Sequence, residues 1–138
     1  MAPDSVFDAA PFHAGRPGRT GRFAKRDRVQ TVGEFKAVYR YGFHATTDRF
    51  ACYVLPTRRP RSRLGLSVSR KYGNARHRNR IKRVLREAFR RLRHEFPKHV
   101  DLVVVARRAA RGTPLGLVAA EMDTLVGDAL SRRKRKRR

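Results

Sequence analysis

Cysteine occurs once in this 138-residue chain, at Cys52, and tryptophan is absent. A single cysteine makes neither an internal disulfide nor a zinc cluster, so a disulfide scaffold is excluded. Cys52 lies in an apolar run, which suits a small buried hydrophobe. No stretch approaches the ~18 apolar residues of a membrane span. The first residues also lack the apolar segment of a secretory signal. The expected setting is therefore reducing and cytoplasmic, with no membrane partner. Acidic residues are the other scarcity: 11 Asp plus Glu face 35 Lys plus Arg, for a formal net charge of +24. So positive a field holds polyanions nonspecifically, which argues against an ordinary metabolic enzyme. Nucleic acid is the first partner to expect.

What remains is enough for one domain with a small core. Residues 1–28 are rich in Pro, Gly, Ala and Arg without a sustained period, and read as a flexible basic arm. Residues 132–138 are seven consecutive cations, which repel one another and read as a disordered tail. The folded domain is expected over 29–131.

Within it, Thr31-Val32-Gly33-Glu34 has the form of a capping box. Val32, Phe35, Val38 and Tyr39 then follow helical spacing up to a stop at Gly42. Phe50 to Leu55 is β-prone and Pro56 ends it. Leu64, Leu66 and Val68 alternate with Gly65, Ser67 and Ser69, a strand period. These two strands are expected to pair as a hairpin, and the small residues leave one face open. A third strand is expected within Phe50–Ser69. Ile81, Val84, Leu85, Ala88, Phe89, Leu92 and Phe96 form a long helical stripe that Pro97 stops. Asp101–Ala106 is a continuous apolar run suited to a central strand. Thr113-Pro114 opens a last helix. The order α-β-β-β-α-β-α makes an α+β single-domain sandwich, a small mixed sheet packed with helices.

The chemistry concentrates between Ser67 and Arg93. From Arg70 to Arg93 eleven residues are Lys or Arg, and Glu87 is the one acid. The helical wheel turns Ile81, Val84, Leu85, Ala88 and Leu92 to the core. Asn79, Arg83, Arg86 and Arg90 fall on the opposite side, with Arg80 and Lys82 flanking. A solvated face usually interleaves both signs; this one presents guanidinium forks that match phosphate oxygens.

The segment Ser67-Val68-Ser69-Arg70-Lys71-Tyr72-Gly73-Asn74-Ala75, followed by Arg78-Asn79-Arg80, resembles the signature of the bacterial ribonuclease P protein component. Phe35-Lys36-Ala37-Val38-Tyr39 up to Gly42, and Val103-Val104-Val105-Ala106-Arg107, are similar to its first helix and fourth strand. The resemblance covers about Arg28 to Leu130. It implies an accessory protein subunit that joins a catalytic RNA to remove the 5′ leader of precursor tRNA. It further implies that the RNA holds the magnesium ions, that the protein binds none tightly, and that no second protein is obligatory. Arg70, Lys71, Arg78, Asn79, Arg80, Lys82, Arg83, Arg86 and Arg90 would then face the catalytic RNA. Phe35, Tyr39, Tyr53, Ser67 and Ser69 would line the leader cleft. Aromatic faces stack on unpaired bases whatever their sequence, although the spacing of Phe35 and Tyr39 equally fits core packing. Parallel strand–helix–strand units are nearly always right-handed. The resemblance implies a left-handed one here, in the fold of the second domain of a small-subunit ribosomal protein. Tyr72, Arg76-His77 and Ala109 depart from the usual pattern, and Tyr72 is expected to pack rather than stack.

Three rivals share some of these features. A structural ribosomal-type protein follows the same charge logic. A stand-alone nuclease would draw on His77, His94, His99, Glu87 and Asp101, yet protein-only metal nucleases cluster several carboxylates on their ions. The acids here are scattered and no metal-ligand spacing appears, so no catalytic or metal residue is expected. An architectural DNA binder would carry a helix-turn-helix or zinc motif, and neither is visible.

Overall fold

The computed structural model describes residues 23–137, with side chains from Phe23 to Arg132. The bulk of the expected N-terminal arm, residues 1–22, lies outside the described residues. Three helices and four strands follow in the order α1 (Val32–Tyr41), β1 (Phe43–Thr46), β2 (Phe50–Pro56), β3 (Arg63–Ser67), α2 (Ala75–Leu92), β4 (Val100–Ala106) and α3 (Leu115–Arg137). The order is the α-β-β-β-α-β-α expected from the sequence. One strand is elsewhere than expected, because β1 precedes Phe50.

The strands form one mixed sheet in the order β1-β2-β4-β3. β1 and β2 are antiparallel, β2 and β4 are antiparallel, and β3 and β4 are parallel. The expected β2–β3 hairpin is therefore absent; β4 lies between the two. The physical reason is burial. A strand apolar on both faces gains most in the centre of a sheet, and Val100, Leu102, Val103 and Val104 are all at most 1% exposed. The connection between β2 and β3 is also fastened to the start of β4. The Thr57 amide donates to the His99 carbonyl, and the Val100 amide donates to the buried Ser62 hydroxyl at 2.9 Å.

The two faces are packed differently. Ala45, Phe50, Cys52, Val54, Leu64, Leu102, Val104 and Ala106 meet the stripes of α2 and α3 to form the main core. Burial pushes the Cys52 thiol pKa up, in keeping with a packed hydrophobe. Among the described residues, α1 and Val29 just before it cover the other face. Its capping box is complete: the Glu34 amide donates to Thr31 Oγ1, and the Glu34 carboxylate accepts from the Thr31 and Gln30 amides. Gly42 ends it in extended backbone (φ −77°) rather than the left-handed conformation. A Cβ there would lie 2.5 Å from the Val38 carbonyl oxygen, so close approach rather than φ requires glycine.

Both boundaries of the domain move outward. Phe23 meets Phe89 edge-on at 6.0 Å, and Asp27 is buried in a 3-10 turn, so 23–28 belong to the fold and not to the arm. Asp27 pairs with Arg61 and Arg93 at 3.0 Å each, clamping the chain start to the β2–β3 connection and the end of α2. At the other end the backbone stays helical to Arg137, where a disordered tail was the expectation. Lys and Arg are good helix formers, and extending an established helix needs no new nucleus. The last helix begins one residue late, its first bond running from the Val118 amide to the Pro114 carbonyl.

Candidate nucleic-acid interface

Strand register decides what α1 covers. Across the sheet, Gly65, Val103, Tyr53 and His44 form one row, and Ser67, Val105, Ala51 and Thr46 form the next. A Cβ at Gly65 would lie 2.9 Å from two atoms of the Phe35 ring, so glycine is what lets Phe35 lie against β3. Tyr39 then meets Tyr53 edge-on at 4.8 Å, and His44 stacks on Tyr53 at 5.3 Å with 18° between the planes. Phe35 and Tyr39 stand 6.5 Å apart. The result is an aromatic row, Phe35–Tyr39–Tyr53–His44, running from β3 to the β1 edge. Tyr39 is 40% exposed while Val38 beside it is buried at 1%. Core packing in α1 thus falls to Val38, and the aromatics keep open ring surface.

The anchor of α1 is ionic. Arg63 makes a fork to Asp101, Nε to Oδ1 at 3.0 Å and Nη2 to Oδ2 at 2.8 Å, and its Nη1 reaches Glu34 at 2.8 Å. Hydrogen bonding from Arg63, then from the Gln30 and Thr31 amides, holds the Glu34 carboxyl at about 2. One carboxylate therefore both caps the helix and ties it to the sheet.

A cleft of about 160 Å³ opens beside Phe35. Phe23, Val29, Phe35, Leu64, Gly65 and Leu66 supply its apolar wall; Arg28, Lys82 and Arg86 supply cations. Burial, then the neighbouring charge of Arg28, pulls the Arg86 pKa below the ordinary arginine value. Two like charges facing one half-buried space are relieved by an anion placed between them.

The basic helix follows the wheel with adjustments. Asn74 caps α2, its Oδ1 accepting from the His77 amide at 3.0 Å. Arg76, Asn79 and Arg83 are exposed, whereas Arg78, Arg80, Lys82 and Arg86 are half-buried flanks. Arg78 Nη1 donates to the Gly73 carbonyl at 2.6 Å, so it also braces the turn before the helix. Arg90 is held by Glu87 through two hydrogen bonds, at 3.0 and 2.6 Å, which sets it apart from the cations further up the helix. Arg70 and Lys71 are exposed in a 3-10 turn between β3 and α2. Tyr72 in that turn is 3% exposed, packed as expected. Ser67 is half-buried at the end of β3 in the second row, but the strand stops there. Ser69 lies past it, exposed at the start of the turn and off the sheet face where the alternation put it.

The groups a stand-alone nuclease would need are spread apart. Asp101 is committed to Arg63 and Glu87 to Arg90 and Arg91. His77 accepts from Arg111 at 2.9 Å, and His94 and His99 are exposed. Among the described residues no three of His, Cys, Asp and Glu gather as a metal site, and no helix is long and apolar enough to cross a membrane. The sequence reading missed His44 and Arg28. His44 needs β1 to be recognised before its side chain can be assigned a face, and Arg28 was assigned to the arm.

The family model described as Ribonuclease P matches residues 23–130. The ribonuclease P protein component of Shouchella clausii is 40% identical over 106 residues, covering 76% of this chain and 87% of that one. That of Desulfovibrio desulfuricans is 43% identical over 99 residues, covering 69% and 76%. Among solved structures, a Staphylococcus aureus RNase P protein superposes with TM-score 0.64 at 30% identity, covering 75% of this chain and 94% of that one. One from Thermotoga maritima gives 0.56 at 34% identity, covering 62% and 77%. With a cleft, a basic helix and a four-stranded sheet in this arrangement, the chain belongs to the ribonuclease P protein family, the RNA-associated protein component of the ribonucleoprotein that processes the 5′ end of tRNA.

Proposed function

We propose that this chain holds the 5′ leader of precursor tRNA along Phe35, Tyr39 and Tyr53 while Arg78, Asn79, Arg80, Lys82, Arg83 and Arg86 face the catalytic RNA. Arg70 and Lys71 extend the second surface; Arg90, paired with Glu87, adds little to it. The RNA carries out cleavage and holds the magnesium ions, in the cytoplasm and with no second protein required. The observation that carries this reading is the aromatic row Phe35–Tyr39–Tyr53, which adjoins at Phe35 a cleft lined by Arg28, Lys82 and Arg86, so that the surfaces for the two RNAs meet there. Stacking takes bases without regard to sequence, and guanidinium groups take phosphates. A leader of variable sequence needs both. The chain's part is to bind and orient; effective concentration and charge neutralisation lower the magnesium needed by two RNAs that repel each other.

The test is reconstitution. A bacterial ribonuclease P RNA and precursor tRNA are mixed at low magnesium with and without the protein. Restored 5′ cleavage is expected only with both RNA subunit and protein. Specific 5′ cleavage by the protein alone, at any magnesium concentration, would overturn the assignment of chemistry to RNA.

A further inference from the structure

We propose that Tyr72 and Arg111 complete, with Arg80, a binding site for one backbone phosphate of the catalytic RNA, and that His77 positions Arg111 for it. The proposal rests on reading the first turns of α2 as the surface that faces that RNA. It starts from topology. β3 and β4 are parallel neighbours, with Ser67 beside Val105, so the chain leaves both strands at one edge of the sheet. The 3-10 turn Arg70–Tyr72 follows β3, the 3-10 turn Arg108–Ala110 follows β4, and α2 begins just beyond the first of them. Residues distant in sequence therefore meet there.

The contact between the two segments is a hydrogen bond from Arg111 Nη2 to His77 Nε2 at 2.9 Å. Both partners are held from behind. The Asn74 cap binds the His77 amide at 3.0 Å, and the His77 ring lies over Gly73, where a Cβ would come within 3.4 Å of Cδ2. Ala110, fully buried in the main core, anchors the turn that carries Arg111. An imidazole that accepts is uncharged, so the contact orients the guanidinium without neutralising it. Among the described residues no carboxylate pairs with Arg80 or Arg111. Tyr72 supplies the third group. Its side chain is 3% exposed, yet its hydroxyl has no hydrogen-bond partner among the described residues and is not sealed from the surface. Burial pushes that hydroxyl's pKa up while the charges of Arg80 and Arg111 pull it back, so both guanidinium groups stand near it. Guanidinium groups accept nothing, which leaves the O–H proton without an acceptor. A phosphate oxygen is the acceptor that all three groups share. Arg70, Lys71 and Arg76 are exposed on the adjoining turns, so the site opens onto further positive charge, which suits a chain of phosphates.

The test measures binding of the full-length protein to a bacterial ribonuclease P RNA across a salt series, with urea unfolding of the free protein alongside. Arg111→Gln should weaken binding about tenfold or more and lower the salt slope by about one phosphate contact. Tyr72→Phe deletes only the oxygen; it should weaken binding about tenfold at unchanged slope and leave unfolding unchanged. Because both groups hold one phosphate, the double variant should lose less than the product of the two effects. His77→Ala should weaken binding a few-fold, and His77→Gln, which still offers an acceptor, should recover it. Unchanged affinity in either Arg111→Gln or Tyr72→Phe overturns the proposal, as do losses that multiply. A loss confined to holoenzyme affinity for precursor tRNA also overturns it, by placing the phosphate on the substrate. Arg83→Gln, further along α2, judges the underlying reading separately. If it too leaves catalytic-RNA binding unchanged, α2 does not face that RNA; if it weakens binding while Arg111→Gln does not, the phosphate site alone fails.

Discussion

Tyr53→Ala removes the centre of the aromatic row, and its two consequences have different sizes. On the protein side it deletes the edge contact to Tyr39 at 4.8 Å and the stack with His44 at 5.3 Å. Each aromatic pair contributes ~0.5–1.5 kcal/mol beyond area. Tyr53 is half-buried on the face that α1 covers only in part, and the main core on the opposite face is untouched. A stability loss of roughly 1–3 kcal/mol follows, which leaves a marginally stable domain mostly folded. On the RNA side, one stacked base contributes about 1–3 kcal/mol, or roughly a 5- to 150-fold change in affinity. Stacking involves no phosphate, so the salt slope should be preserved. Tyr53→Phe keeps the ring and should retain both quantities. The assay is holoenzyme affinity for precursor and mature tRNA over a salt series, with urea unfolding of the free protein alongside. The expected result is a selective loss for precursor tRNA at constant slope. A variant that loses stability yet binds precursor and mature tRNA in the original ratio would return Tyr53 to a purely packing role.

Three further outcomes follow from the same geometry. Arg63→Met leaves Asp101 buried and unpaired and frees Glu34, so urea unfolding should show a loss of about 3–5 kcal/mol; Arg63→Met with Asp101→Leu should recover most of it. The Glu34 carboxyl sits at about 2 against an ordinary 4.5, so its contribution is complete above pH 4.5 and lost as pH falls toward 2; thermal unfolding should be flat above about pH 5 and drop below it, and Glu34→Gln should lower stability at neutral pH while flattening that drop. Arg78→Ala and Arg80→Ala should each weaken catalytic-RNA binding by roughly ten- to hundredfold, as befits one charge-assisted contact; only Arg78→Ala, which also gives up the Gly73 carbonyl, should cost about 1 kcal/mol of stability.

The helices were legible because each carries its own signal. The capping box at Thr31, the stripe from Ile81 to Leu92 and the boundary at Gly42 are local, and all reappear in the fold; the stop expected at Pro97 comes at Leu92, and Phe96 packs on the core from the turn beyond the helix. The sheet was legible strand by strand but not in its order. Nothing within Phe50–Ser67 says that β4, more than thirty residues on, will separate β2 from β3; that follows from where the most apolar strand gains most. β1 was missed because Phe43–Thr46 is four residues long with mixed burial, too short for a period to show. That one omission hid His44 and with it the outer end of the aromatic row. Of the residues expected to line a cleft, Phe35 lines the one observed; whether Phe35 and Tyr39 packed or faced outward was not decidable from their spacing. Gly65 settles it for Phe35 by letting the ring lie on β3, and Val38 settles it for Tyr39 by taking the buried position.

The distribution of the scarce acids explains how so basic a chain folds and still offers its charge. Asp27, Glu34, Glu87, Asp101 and Glu121 engage Arg49, Arg61, Arg63, Arg90, Arg91 and Arg93. Each of the pairs to Asp27, Glu34, Asp101 and Glu121 joins two elements distant in sequence: chain start to α2, α1 to β3, β3 to β4, and the β1–β2 turn to α3. The Arg63 pair is buried, where breaking it is costly. None of these pairs draws on residues 70–86. The acids are placed where cations must be neutralised for the fold to close, and the first half of α2 keeps a field of one sign. Such a field is attractive toward a polyanion, so the same distribution that stabilises the domain concentrates on residues 70–86 the positive charge that a polyanion relieves.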